Sequence, residues 1–150
     1  MDNVQLVKSL YDAFMRGDLE TIFAASDPEI EWSDNADPAL IPWGGNRHGI
    51  AGAKEFFSEL AAHADFEVFE PRQFFAGPDS VTVLVHMVMR LKPSGQRWEG
   101  EDAHLFTIRN GKVTTFRVYA DTHALVQAYY GGDIHSAAAT AAETAARLHH

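Results

Sequence analysis

The sequence predicts an α+β domain in which helices pack into the concave face of a curved, mainly antiparallel sheet. Three observations carry this. The first third of the chain has apolar residues at helical spacing. From Asp65 onward the pattern changes to period two. Near the end, two alternating runs flank Asn110-Gly111, the strongest short-range signal for a tight β-hairpin. Helices first and a meander of long strands afterwards is the α+β order. A sheet wrapped around helices tends to form a cone with an apolar cavity inside.

Val4 to Met15 forms the first helix, with Val7, Leu10, Tyr11 and Phe14 on its apolar stripe. Asp2 or Asn3 caps it and Gly17 ends it. Leu19 to Ala25 reads as a short second helix behind Asp18, stopped by Asp27-Pro28. Ile30 to Ser33 is a short strand. Asn35 to Gly49 is a loop that nevertheless holds Leu40, Ile41 and Trp43, so it folds over something apolar. Ile50 to Ala64 is the third helix. A long strand follows from Asp65, bulged near Pro71. Ser80 to Leu91 is apolar at many positions on both faces, which predicts a strand covered on both sides. Then comes the hairpin, from Trp98 to Asp121, and a short last helix over Thr122 to Tyr129. Residues 1–130 make one domain. Residues 131–150 make an Ala-rich tail, and within it Ser136 to Leu148 reads as a peripheral or frayed helix with almost no core face.

The chain has 150 residues, enough for a single domain with a real core. Its net charge of −9 speaks against nucleic acid and against anionic membrane surfaces, both of which need clustered Lys and Arg. No apolar run reaches the length of a membrane span, and the opening MDNVQLVKSLYDAF lacks the features of a secretion signal. A cytoplasmic location is expected. Cys is absent, which excludes disulfides and thiolate chemistry.

The hairpin carries the chemistry. Asp102 and His104 share one face of its first strand, and Arg117, Tyr119 and Asp121 share a face of its second. Together they form either a polar pocket or a wet outer surface. Helices that need a concave face to fill favour the pocket. His104 is expected to find its partner across the hairpin, and an imidazole placed near Asp121 would form the acid–base pair that proton shuttling requires. Direct pairing of Asp102 with His104 is disfavoured, because same-face neighbours on a strand lie roughly 7 Å apart. Arg117 and Tyr119 could steady a developing oxyanion. Each residue also has a plainer role. Asp121 is a good helix cap, His104 a buried structural histidine, and Arg117 an ion-pair partner for Glu99 or Glu101. Trp32 and Trp43 are pocket walls or simply core. His86 faces either inward or into a dimer interface. The eight His form no metal-ligand spacing, and no phosphate loop or dinucleotide fingerprint is present. No metal and no cofactor is expected.

The pieces VKSLYDAFMRGDLETI, EIEW, GGNRHGIAGAKEFF, FEVFEPRQFFAGPDSVTVL and HLFTIRNGKVTTFRVYADT, in this order, resemble the nuclear transport factor 2-like superfold. Within it they resemble the SnoaL-like polyketide cyclases and ketosteroid isomerase-related proteins. The resemblance spans about residues 3 to 130. It implies a cone-shaped, cystatin-like fold, a homodimer through the outer sheet face, and a cavity for a small apolar or carbonyl-containing molecule. It also implies site residues. Asp121 matches the acid–base aspartate that SnoaL-like cyclases carry near the end of the last strand. Tyr11 lies on the first helix, as the steroid isomerase tyrosine does; Asp34 stands for the base and His104 for the protonated aspartate. Asp102 answers to the second aspartate of the epoxide hydrolases of this superfold, but Gly100 stands where they carry an arginine. The superfold hosts many activities, so function is argued from the site. The reading is an isomerase- or cyclase-type proton transfer by Asp121, His104 and Tyr119, with Trp32, Trp43, Asp102, Arg117, His86, Tyr11 and Asp34 around the ligand. The alternatives are a non-catalytic ligand-binding domain and a dimeric scaffold whose aromatics fill the cavity.

Overall fold

The computed structural model describes residues 1–132; the tail helix expected over 136–148 lies outside them. Helix α1 (Asn3–Met15) starts at a capping box in which Asp2 accepts from the Gln5 backbone and the Gln5 side chain returns the bond. It buries Val7, Leu10, Tyr11 and Ala13. Helix α2 (Leu19–Ala24) is capped by Asp18. Strand β1 (Ser26–Asp34) is longer at both ends than the Ile-Glu-Trp-Ser pattern predicts. The segment read as loop contains a short edge strand, β2 (Gly45–His48), before helix α3 (Gly49–His63). Strands β3 (Ala64–Ala76), β4 (Ser80–Leu91), β5 (Arg97–Arg109) and β6 (Lys112–Tyr119) form the meander, and α4 (Thr122–Tyr129) follows.

The six strands make one curved sheet in the order β2-β1-β6-β5-β4-β3. All neighbours are antiparallel except β1 and β6. Strand β3 shifts register at two places, one of them between Pro71 and Gln73, where the proline predicts a bulge.

Strands β4 and β5 each have one buried face. On β4 it is Val81, Val83, Val85, Met87, Met89 and Leu91. The opposite face, with Thr82, Leu84, His86 and Val88, is half-buried. On β5 the buried face alternates through Trp98, Asp102, His104, Phe106 and Ile108, with the small Gly100 between the first two. Helix α1 lies against this inner face, and Tyr11 packs among Phe69, Phe74, His104 and Phe106.

The β5–β6 register decides what shares a face with His104. Asn110 and Gly111 have φ of 52° and 74°, the two positive values of a two-residue hairpin turn. Next to the turn, Arg109 pairs with Lys112 and Ile108 with Val113. Carried on unbroken, that register would set His104 opposite Arg117 and Asp102 opposite Tyr119. Instead Thr107 pairs with Thr115, so Thr114 is an extra residue on β6. Beyond it every residue of β6 has changed face. His104 faces Val118, while Arg117 and Tyr119 pair with Leu105 and Ala103 on the outside.

Candidate functional site

Four polar residues are buried among the described ones: Ser26, Asp34, Asp102 and His104. All four line one cavity of about 100 Å³ between α1, α3 and the inner face of the sheet. The rest of its wall is apolar or aromatic, including Phe14, Trp32, Trp43, Phe56, Phe69 and Phe116. Buried polar groups are costly unless paired, so their collection in one place needs a reason that core packing does not supply.

Three adjacent strands place two of them in one row. Asp34 on β1 pairs with Val118 on β6, and Val118 pairs with His104 on β5. Strands lie about 4.8 Å apart. The Asp34 and His104 backbones are therefore roughly 10 Å from each other, with Val118 as the floor between them. Above the row stands Tyr11, whose hydroxyl lies 2.8 Å from His104 Nδ1. The imidazole and the phenol ring also stack, with centroids 5.9 Å apart. On the other side of the imidazole, Nε2 lies 3.9 Å from Asp102 Oδ2. That is nearer than strand spacing alone predicts, yet beyond hydrogen-bond distance.

Electrostatics separate these groups. Burial, reinforced by the Asp102 carboxylate, pushes the Tyr11 phenol far above its ordinary value, so it keeps its proton. Burial also pushes the Asp34 carboxyl up to about 7, and the Asp102 carboxylate pushes the same way. The Ala36 backbone N–H, 2.8 Å from Asp34 Oδ1, opposes that rise, as does the Arg47 charge. Arg47 itself is engaged with Glu55 and donates to the Pro42 carbonyl.

The structure brings together only part of the expected set. Tyr11, Trp32, Asp34, Trp43, Asp102 and His104 line the cavity. Asp121 does not: it is exposed and accepts a hydrogen bond from the Ala124 N–H as the cap of α4. Tyr119 is 45% exposed on the outer face, and Arg117 lies on the same face. The Thr114 bulge is the reason for both. Arg117 also lacks the expected ion pair with Glu99 or Glu101, because its neighbour across the hairpin is Leu105. His86 points outward too, 3.4 Å from Glu99. The partner of His104 comes from α1, not from across the hairpin. Ser26 was not singled out by sequence. Its hydroxyl donates to the Ile22 carbonyl, and a serine before Asp-Pro reads only as the end of a helix.

Residues 7–116 match the family model described as SnoaL-like domain. An NTF2-like protein from Burkholderia xenovorans LB400 is similar in structure, with a TM-score of 0.76 and 31% identity over 85% of this chain and 95% of that one. TerC, in a structure co-crystallised with polyporic acid, has a TM-score of 0.76 and 26% identity over 85% and 98% of the two chains. An NTF2-like protein of unknown function from Burkholderia pseudomallei K96243 shares the fold, with a TM-score of 0.79 and 24% identity over 86% and 98%. No curated protein sequence matches the chain. Among the described residues, no helix is long and apolar enough to cross a membrane.

Proposed function

The chain belongs to the SnoaL-like domain family, and from that premise we propose that it is an acid–base enzyme of isomerase or cyclase type. It moves a proton next to the carbonyl of a small, largely apolar molecule. The observation that carries this reading is the row Asp34–Val118–His104, which sets a carboxylate and a Tyr11-backed imidazole on either side of an apolar floor.

In this reading Asp34 is the base. A carboxyl with a pKa of about 7 is half ionised near neutrality and strong enough to accept a proton from an activated carbon. The C–H bond breaks, its electron pair becomes the C=C of an enolate, and the proton sits on Asp34. Returning it to a conjugated carbon completes an isomerisation. The enolate oxygen needs a donor, and Tyr11 supplies it when His104 donates from Nδ1 to the phenol oxygen. A donor at Nδ1 stabilises negative charge building on the ligand oxygen through Tyr11. This assigns to Asp34 the role expected of Asp121. The structure of TerC with polyporic acid supports a cavity that accepts a small organic molecule.

The outer sheet face, half-buried at Leu84, Val88, Ala103 and Leu105, supports pairing with a second copy. Sedimentation at micromolar concentration tests this, with Leu105→Arg expected to shift a dimer to monomer.

The test of catalysis is acetophenone in D₂O, with its methyl protons followed by NMR. The protein should speed deuterium uptake, with a rate that rises with pH through about 7 and is lost in Asp34→Asn. Acetophenone bound in the cavity with no exchange above buffer would leave the alternative, a non-catalytic ligand-binding domain.

A further inference from the structure

Two polar groups of the cavity wall have an atom without a hydrogen-bond partner among the described residues, the Trp32 indole N–H and the Asp102 carboxylate, and of these Asp102 is the acceptor. The residue is 6% exposed. Its Oδ1 has no hydrogen-bond partner among the described residues. Its Oδ2 has His104 Nε2 at 3.9 Å, too far for a hydrogen bond. Opposite it on β4 stands Val85, which offers no donor. Arg47, the cation whose charge is felt at the neighbouring Asp34, is held by Glu55 and the Pro42 carbonyl. A buried carboxylate usually accepts two or more hydrogen bonds, and leaving it without them costs far more than replacing it by an apolar side chain. An acceptor left open on the wall of a cavity selects what enters.

We propose that Asp102 determines specificity by accepting a hydrogen bond from the ligand, so that the ligand is a carbonyl compound that also carries a donor, a hydroxyl or an ammonium group. This rests on the reading of the cavity as a ligand site. The carbonyl oxygen goes to Tyr11 and the donor to Asp102, the two groups on either side of the His104 imidazole. The aromatic wall accommodates the carbon skeleton, and for an ammonium it adds cation–π attraction. A plain ketone of the same size satisfies Tyr11 and leaves Asp102 bare.

The experiment measures dissociation constants by calorimetry for acetophenone, the three hydroxyacetophenones and 4-(aminomethyl)acetophenone. At least one donor-bearing ketone should bind about tenfold or more tighter than acetophenone, the range of a hydrogen bond to a charged group. In Asp102→Leu the advantage should fall to about twofold or less. Asp102→Asn serves as the second variant. It keeps an acceptor but no charge, so it should retain part of a hydroxyl's advantage and lose most of an ammonium's. The hydroxyl and amine arms therefore identify the donor. Equal binding of all the ketones to the wild-type protein would overturn the assignment of Asp102 while leaving the cavity reading intact. An advantage that survives in Asp102→Leu would also overturn it. Failure of every ketone to bind would overturn the cavity reading and this inference with it.

Discussion

The Tyr11 hydroxyl and His104 Nδ1 lie 2.8 Å apart, which ties the first helix to the fifth strand inside the cavity. Both residues are 6% exposed, so neither can turn to water for another partner. Tyr11→Phe keeps the ring packing against Phe69 and Phe106 but strands Nδ1. Unfolding in urea should show a loss of about 1–3 kcal/mol, the cost of an orphaned buried polar atom. Deuterium exchange of a bound ketone should slow about 10²–10³-fold, the effect of removing one oxyanion donor. Loss of stability with an unchanged exchange rate would make the bond structural only.

Asp34 gives a second prediction, read from stability against pH. Its carboxyl is raised to about 7 in the folded protein, against an ordinary value of 3.8. Between those values the native state holds a proton that the unfolded chain has released. Stability therefore falls as pH rises from about 4 to about 7 and levels off above, the reverse of a salt-bridged aspartate. The whole effect is of the order of 4 kcal/mol. Asp34→Asn cannot ionise, and its amide oxygen can still accept from the Ala36 N–H. Thermal melts should show the variant close to wild type at pH 4 and more stable at pH 8, with catalysed exchange abolished. A variant destabilised at both pH values would argue against the buried, proton-holding carboxyl.

The hairpin residues outside the cavity give a third. Tyr119→Phe and Arg117→Ala should leave ketone exchange within about twofold of wild type. Asp121→Ala should lower stability by about 0.5–2 kcal/mol through loss of the α4 cap, and Asp121→Asn by almost nothing, since Asn caps equally well. A large loss of exchange in Asp121→Asn, with the melting temperature unchanged, would return the catalytic role to Asp121.

These residues show where sequence stops being sufficient. The Asn110-Gly111 turn, the alternation along β5 and the helix faces were legible, because periodicity and turn chemistry are local. From them Asp102 and His104 follow as one inward pair. Which face Arg117 and Tyr119 take is not local. It depends on one extra residue, Thr114, in a run of two threonines that fits a regular strand as well as a bulged one. One position of slip reverses the face of everything after it. Tyr11 and Asp34 lie far from the hairpin in sequence and reach the site only through the parallel β1–β6 pairing and the packing of α1. No spacing rule contains those contacts. The family resemblance did point to both residues, because it carries topology that composition and period do not.

The loop before β2 supplies the last prediction. The Asp34 carboxylate accepts from the Ala36 N–H at 2.8 Å, and that bond holds its pKa down against burial. The carbonyl of Ala36 faces Gly44, where a Cβ would lie 2.3 Å from the oxygen. No side chain fits there, and the obstacle is backbone, which cannot swing aside as a flexible side chain could. Gly44→Ala must therefore displace the peptide around Ala36, or the Trp43–Gly44 segment that walls the cavity. Other anchors of the loop, from Tyr130 to the Leu40 carbonyl and from Arg47 to the Pro42 carbonyl, oppose a large movement of its middle. The strain then falls on the Ala36 end and weakens the bond to Asp34. Without that donor the carboxylate loses stabilisation of its charged form, and its pKa rises further. The midpoint of the exchange rate against pH should accordingly move above that of wild type, while the plateau at high pH is kept. A midpoint that stays near 7 with a lowered plateau would instead show that Gly44 serves the cavity wall and not the base.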